Sequence, residues 1–239
     1  MHHRSKKSLV FALLAVTAGV LMSSGCALSK LKNTEQLLAR SEAFQARPPQ
    51  PTQRLLIIGD STGVGTGAST PKTSVAGLIA ADHPDWLIDN RAVNGAKFAD
   101  LAGQMPTAER YDTVLIICGG NDVLRFTDGD ALKQSIADLV QRSTAIASRV
   151  ILLPPGNVGN SPSFYPPWSW WITSRSKTMH AAVREVAAAT GAVYVNLYQD
   201  HANDPFAQDP DRMNAADGVH PSDAGYALWY RSLRTLAAL

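Results

Sequence analysis

The sequence predicts an α/β protein, a three-layer α/β/α arrangement around a five-stranded parallel, doubly wound sheet. Three observations predict it. Five short β-rich runs alternate with helical patterns, as right-handed βαβ units require. Three of those runs are nearly continuous in apolar residues, as in strands covered on both faces. The polar, glycine-containing segments fall after the strands, where an open parallel sheet binds its ligands.

The chain has 239 residues, 45% of them hydrophobic and 18% charged. That balance excludes a disordered chain, and the length supports a core without disulfide or zinc staples, for which two Cys are too few. The net charge of +2 is misleading. Arg4, Lys6 and Lys7 lie in the first 25 positions, which hold no acid. The rest of the chain is close to neutral and has no basic stripe, so the electrostatic footprint of a nucleic-acid binder is missing.

The first element is an address. A basic start leads into the apolar run LVFALLAVTAGVLM (9–22), then Ser23, Ser24, Gly25 and Cys26. This is the pattern of an export signal, and the run is short for a membrane span. Small residues before a Cys resemble a bacterial lipobox, in which Cys26 is lipidated and becomes the new N-terminus. Ser23 stands where Leu is usual, so a plain cleaved signal and an uncleaved anchor are the alternatives. The expected organisation is a signal over 1–25, a tether over 26–53 and a folded domain over 54–239. A short polar helix is expected over 30–44, ended by RPPQPTQ (47–53).

The expected strands are 55–58, 87–93, 113–118, 150–153 and 192–197. Helices are expected over 130–148, with Leu132, Ile136, Leu139, Val140 and Ser143 on one face, and over 176–190, with Met179, Val183, Val186 and Ala187 on one face and Gly191 as the stop. A last helix over 222–237 has Ser222 as N-cap. The polar segments Gly59-Asp60-Ser61, Asn94-Gly95, Gly119-Gly120-Asn121-Asp122 and Gly156-Asn157 each follow a strand. Asp217-Gly218-Val219-His220 lies beyond the last one.

These residues supply the parts of an acyl-transfer site. A serine hydroxyl needs a base, and the imidazole of His220 is the best candidate. Asp217, three residues earlier across a glycine, can accept the Nδ1 proton and leave Nε2 for Ser61. Asp211 and Asp223 are its rivals, and a main-chain carbonyl could orient His220 instead. The N–H groups of Ser61 and Gly95 and the side-chain amide of Asn121 are candidate oxyanion donors. Asp60 and Asp122 read as braces of the rim loops, and Cys118 as a small buried apolar residue. No metal is expected, because no His pair has ligand spacing with a third partner. The turn after Ser61 lacks the spacing of a dinucleotide fingerprint.

The blocks GDS (59–61), NG (94–95), GGND (119–122) and DGVHPS (217–222) resemble, in order and spacing, those of the SGNH hydrolases, also called GDSL lipases/esterases. GGNDVLR (119–125) is most similar to the thioesterase/lysophospholipase branch. Thr62 departs from the Leu of the family name. The resemblance implies a flavodoxin-like fold, Ser61 as nucleophile, His220 as base, Asp217 as its orienting acid, and Ser61, Gly95 and Asn121 at the oxyanion hole. It implies cleavage of a carboxylic ester or thioester without a cofactor. The partners expected are an acyl lipid or acylated glycan as substrate, and a membrane reached through a lipid anchor on Cys26 in the bacterial envelope. A carbohydrate O-acetylesterase and a non-catalytic glycan- or lipid-binding lipoprotein are the alternatives.

The segment 154–175 holds five Pro and the aromatic residues Phe164, Tyr165, Trp168, Trp170 and Trp171. Read as a long loop, it could wall an acyl pocket, act as a lid, touch a bilayer interface or cover the sheet edge. Asn157, Trp168, Trp170 and Trp171 are the candidate substrate-binding residues.

Overall fold

The computed structural model describes residues 29–239. The expected signal and Cys26 lie outside the described residues. A helix over 29–40 (α1) comes first. Five strands follow: β1 (Gln53–Gly59), β2 (Trp86–Asn90), β3 (Tyr111–Ile117), β4 (Ala147–Leu152) and β5 (Val193–Tyr194). They are all parallel, in the order β2-β1-β3-β4-β5. This is the flavodoxin-like order, whose switch point lies between β1 and β3.

Alternation along each strand builds the two outer layers. Leu56, Ile58, Val114, Ile116, Val150 and Leu152 point to one face. There they meet α5 (Gly129–Thr144) through Leu132, Ile136 and Leu139, and α6 (Trp168–Thr190) through Ile172, Met179 and Val183. Leu55, Ile57, Leu115, Ile117 and Ile151 point to the other face. It is covered by α3 (Val75–Asp82) through Val75 and Ile79, and by α9 (Asp223–Ala237) through Tyr226, Trp229 and Leu233. Ser222 caps α9 as expected, its side chain accepting from the N–H of Gly225.

Short elements shape the rim: α2 (Ser61–Val64), α4 (Gly120–Leu124), α7 (Pro205–Gln208), α8 (Pro210–Met213) and the 3-10 turns Phe98–Gln104 and Val158–Asn160. Close approach at the switch point requires a glycine. A Cβ on Gly59 would lie 2.1 Å from the carbonyl oxygen of Ile117. The buried Gln104 side chain closes both backbone groups of Gly59, its Oε1 accepting from the N–H at 2.8 Å and its Nε2 donating to the C=O at 2.9 Å.

Three expectations are corrected. Residues 29–53, read as a tether, are docked on the domain. Ala46 bridges Ile88 in antiparallel fashion, Gln45 Nε2 donates to the carbonyl of Asn90, and α1 buries Leu37. The stretch 154–175, read as a loop, becomes helix at Trp168, directly after Pro166 and Pro167. The fifth strand is only two residues long, because after Val195 donates to the carbonyl of Leu152 the chain leaves the sheet edge.

Candidate active site

Ser61 is the first residue of α2. Asp60 caps that helix, its Oδ1 accepting from the N–H of Thr62 at 2.8 Å and from the Thr62 hydroxyl at 2.6 Å. Burial raises the Asp60 pKa, and the Thr62 hydrogen bonds oppose that rise. Asp122 is the matching brace after β3, accepting from the N–H of Phe98 at 3.0 Å. Both carboxylates thus accept from backbone N–H groups of the rim loops, and Asp60 also from the Thr62 hydroxyl.

His220 reaches Ser61 from the loop before α9. Its Nδ1 lies 2.6 Å from Asp217 Oδ2 and its Nε2 lies 2.9 Å from Ser61 Oγ. A carboxylate can only accept, so Nδ1 carries the proton and Nε2 is left to accept from the serine hydroxyl. Asp217 is fully buried. Its Oδ1 accepts from the N–H groups of Val219 and His220 at 2.9 and 3.1 Å, which ties the loop into a tight turn around Gly218 (φ 69°). Burial pushes the carboxyl group up. The hydrogen bond and charge of His220, with the two N–H donors, outweigh burial and hold it below the ordinary carboxylate range. Among the described residues no main-chain carbonyl meets Nδ1. The rival Asp223 is occupied by Ser69 and Thr73.

The oxyanion candidates converge on the same cavity. Gly95 occupies the third position of a turn closed by the N–H of Ala96 to the carbonyl of Val93, with φ 81°. That conformation favours glycine. Among the described residues no acceptor takes the N–H of Ser61 or of Gly95. Asn121 Nδ2 donates one hydrogen to the carbonyl of Ala96 at 3.1 Å, which fixes the amide and leaves its second hydrogen free. Cys118 is buried beneath, and burial pushes its thiol well above its ordinary value. No three His, Cys, Asp or Glu among the described residues are grouped to hold a metal ion.

The cavity has a volume of about 580 Å³, within the ordinary range for small-molecule sites. Asn157 lines it as expected, but its side chain accepts from the N–H of Gly159 and donates to Asn160. Trp168, Trp170 and Trp171 do not line it. The first turn of α6 holds them at the surface, where Trp171 stacks on Phe126 at 4.3 Å and Trp168 packs against Trp171 at 4.8 Å. The i, i+3 spacing of Trp168 and Trp171 turns both toward Phe126. Neither the pocket-wall nor the sheet-edge expectation holds for these rings. Thr34 and Leu38 of α1 are among the wall residues that escaped the sequence reading, with Phe206 of α7 and Leu228 and Trp229 of α9. The signal for the first two was the i, i+4 spacing on one face of the expected polar helix.

Residues 57–228 match the model of the GDSL-like Lipase/Acylhydrolase family. The chain belongs to this family. It is an ester-cleaving hydrolase, as the resemblance of its four blocks implied. Esterase TesA of Pseudomonas aeruginosa is 28% identical over 176 residues, covering 71% of this chain and 80% of that protein. A GDSL-like esterase of Mycobacterium tuberculosis is 26% identical, covering 89% of this chain and 78% of that protein. Solved structures share the fold. LAE5, an alpha/beta hydrolase from the metagenome of Lake Arreo, superposes with a TM-score of 0.62 at 21% identity, over 79% of this chain and 96% of its own. The acetylxylan esterase Axe2 of Geobacillus stearothermophilus gives 0.58 at 23%, over 80% and 96%. The family's matched span includes all four blocks but leaves α1 outside.

Proposed function

We propose that this family member hydrolyses carboxylic esters or thioesters through an acyl-enzyme on Ser61. The observation that carries the reading is the unbroken relay from Asp217 through His220 to Ser61 at the cavity wall. Ser61 Oγ attacks the carbonyl carbon as His220 Nε2 takes its proton. Charge then develops on the carbonyl oxygen, which the N–H groups of Ser61 and Gly95 and the free Asn121 hydrogen stabilise. The tetrahedral intermediate collapses, and the leaving alcohol or thiol takes the proton from Nε2. Water, deprotonated by the same nitrogen, attacks the acyl carbonyl; the bond to Ser61 Oγ then breaks, Oγ takes the proton back from Nε2, and the acid is released. Asp217 stays ionised throughout and stabilises the imidazolium.

Leu38, Leu124, Val158, Leu197, Val219 and Phe206 line the cavity, which supports an acyl chain longer than acetyl and does not favour the O-acetylesterase alternative. A fluorophosphonate probe and a p-nitrophenyl ester series test both parts. Ser61→Ala should abolish labelling and turnover, and octanoyl esters should exceed acetyl esters in kcat/KM. Undiminished labelling of Ser61→Ala would refute the nucleophile, and a preference for acetyl would refute the substrate class.

The basic start, the apolar run 9–22 and the small residues before Cys26 support export and lipid anchoring at Cys26 in the bacterial envelope. No helix among the described residues is long and apolar enough to cross a membrane.

A further inference from the structure

We propose that α1 is a working wall of the active site, in which Thr34 is a positioning residue for Asp217 and Leu38 contacts the apolar part of the substrate. This rests on the reading of Ser61, His220 and Asp217 given above. The helix precedes the family's matched span, so membership of the family assigns it nothing.

Its inward residues recur with helical spacing. Lys30, Asn33, Thr34, Leu37 and Leu38 are wholly or partly buried, while Leu31, Lys32, Glu35 and Gln36 are exposed. Polar clamps hold that face against the catalytic loops. Lys30 Nζ donates to the carbonyl of Pro162 at 2.8 Å, and Asn33 Nδ2 to the carbonyl of Ala216 at 3.0 Å. On the oxyanion side, Asn94 Nδ2 donates to Ser41 Oγ at 3.2 Å and to the carbonyl of Leu38 at 3.4 Å. Asn94 Oδ1 in turn accepts from the hydroxyl of Thr66 at 3.0 Å. One helix thus spans from the Asp217 loop to the Gly95 turn.

Thr34 Oγ lies 3.2 Å from Asp217 Oδ2, the same oxygen that receives Nδ1–H of His220. Among the described residues, every other donor to this carboxylate comes from its own tight turn. Thr34 has one hydroxyl proton and a second acceptor, the carbonyl of Lys30 at 3.0 Å. The carboxylate is the stronger acceptor because it is charged. The bond holds Oδ2 in line with the imidazole edge. Leu38 is one turn further along the same face and lines the cavity with Ser61 and His220.

Full-chain variants separate the two contacts, with Leu31→Ala on the exposed face of α1 as the control of unchanged activity. In Thr34→Val, kcat should fall about 10–100-fold with KM unchanged, the cost of losing one hydrogen bond to a charged group. Thr34→Ser should restore most of it. In Leu38→Ala, the octanoyl-to-acetyl ratio of kcat/KM should fall several-fold. Fluorophosphonate labelling of the wild type, absent in Ser61→Ala, reports the underlying reading separately. Wild-type kcat in Thr34→Val, equal losses in Thr34→Val and Thr34→Ser, or an unchanged acyl ratio in Leu38→Ala would overturn the proposal.

Discussion

Asp217 does more to fix His220 than its spacing from that residue conveys. The sequence placed it three residues before the base but left open a main-chain carbonyl as its substitute, and among the described residues Nδ1 meets the carboxylate alone. An amide at that position could present its NH2 to the ring and favour the wrong tautomer. Asp217→Asn should therefore lower kcat by about 10³–10⁴-fold, as expected for loss of the orienting acid. Steady-state kinetics on an octanoyl ester measures it, and a loss under tenfold would contradict the assignment. The convergence of Ser61, Gly95, Asn121 and His220 on one cavity was legible because chemistry restricts the residue type there. Single residues were illegible where the role is geometric. Gly67 is an example, since a Cβ there would lie 2.4 Å from the carbonyl oxygen of Pro221 and 2.9 Å from His220 Cβ. No spacing rule announces that contact.

At the scale of elements, α6 shows what periodicity finds and misses. Its apolar stripe from Met179 to Val186 was visible, but the first two turns were hidden in a Pro- and Trp-rich stretch that reads as a loop. Helix α3 was missed because Val75, Ala76, Gly77 and Ile79 are all buried and leave little amphipathic contrast. The second face of α6 holds His180, which was passed over as a stripe neighbour. Its Nε2 donates to the carbonyl of Pro155 at 2.8 Å, on a loop that lines the cavity, and its Nδ1 lies 2.6 Å from the Tyr194 hydroxyl oxygen. Burial lowers its pKa from 6.5 to about 4. Below pH 6.5 the unfolded chain therefore binds a proton that the folded chain refuses. The stability this group contributes is present above that pH and is lost as pH falls toward 4, by on the order of 3 kcal/mol in full. Urea unfolding at pH 7 and pH 4.5 should show a smaller acid loss in His180→Gln than in the wild type. Equal losses would exclude His180 as the cause.

For the whole molecule, the layered sheet and the site at the carboxyl ends of its strands followed from strand and helix alternation, whereas the strand order came only with the structure. The domain boundary was not legible, because the residues that dock α1 are mostly polar and resemble a solvated linker. Export and anchoring are testable at this scale. The full chain expressed in a bacterium with an alkyne-tagged fatty acid should be labelled, and Cys26→Ala should not. Equal labelling of both would remove Cys26 as the attachment point.

The clamp between Lys30 and Pro162 then sets a distance. With Cys26 as the acylated first residue, four steps of chain separate the acyl groups from a point fixed on the catalytic body, at most about 14 Å when fully drawn out. On the proposed anchoring, so short a leash would leave the enzyme no freedom to patrol. Its substrates would have to arrive at the lipid surface, and esters held deeper in the surrounding compartment would stay out of range.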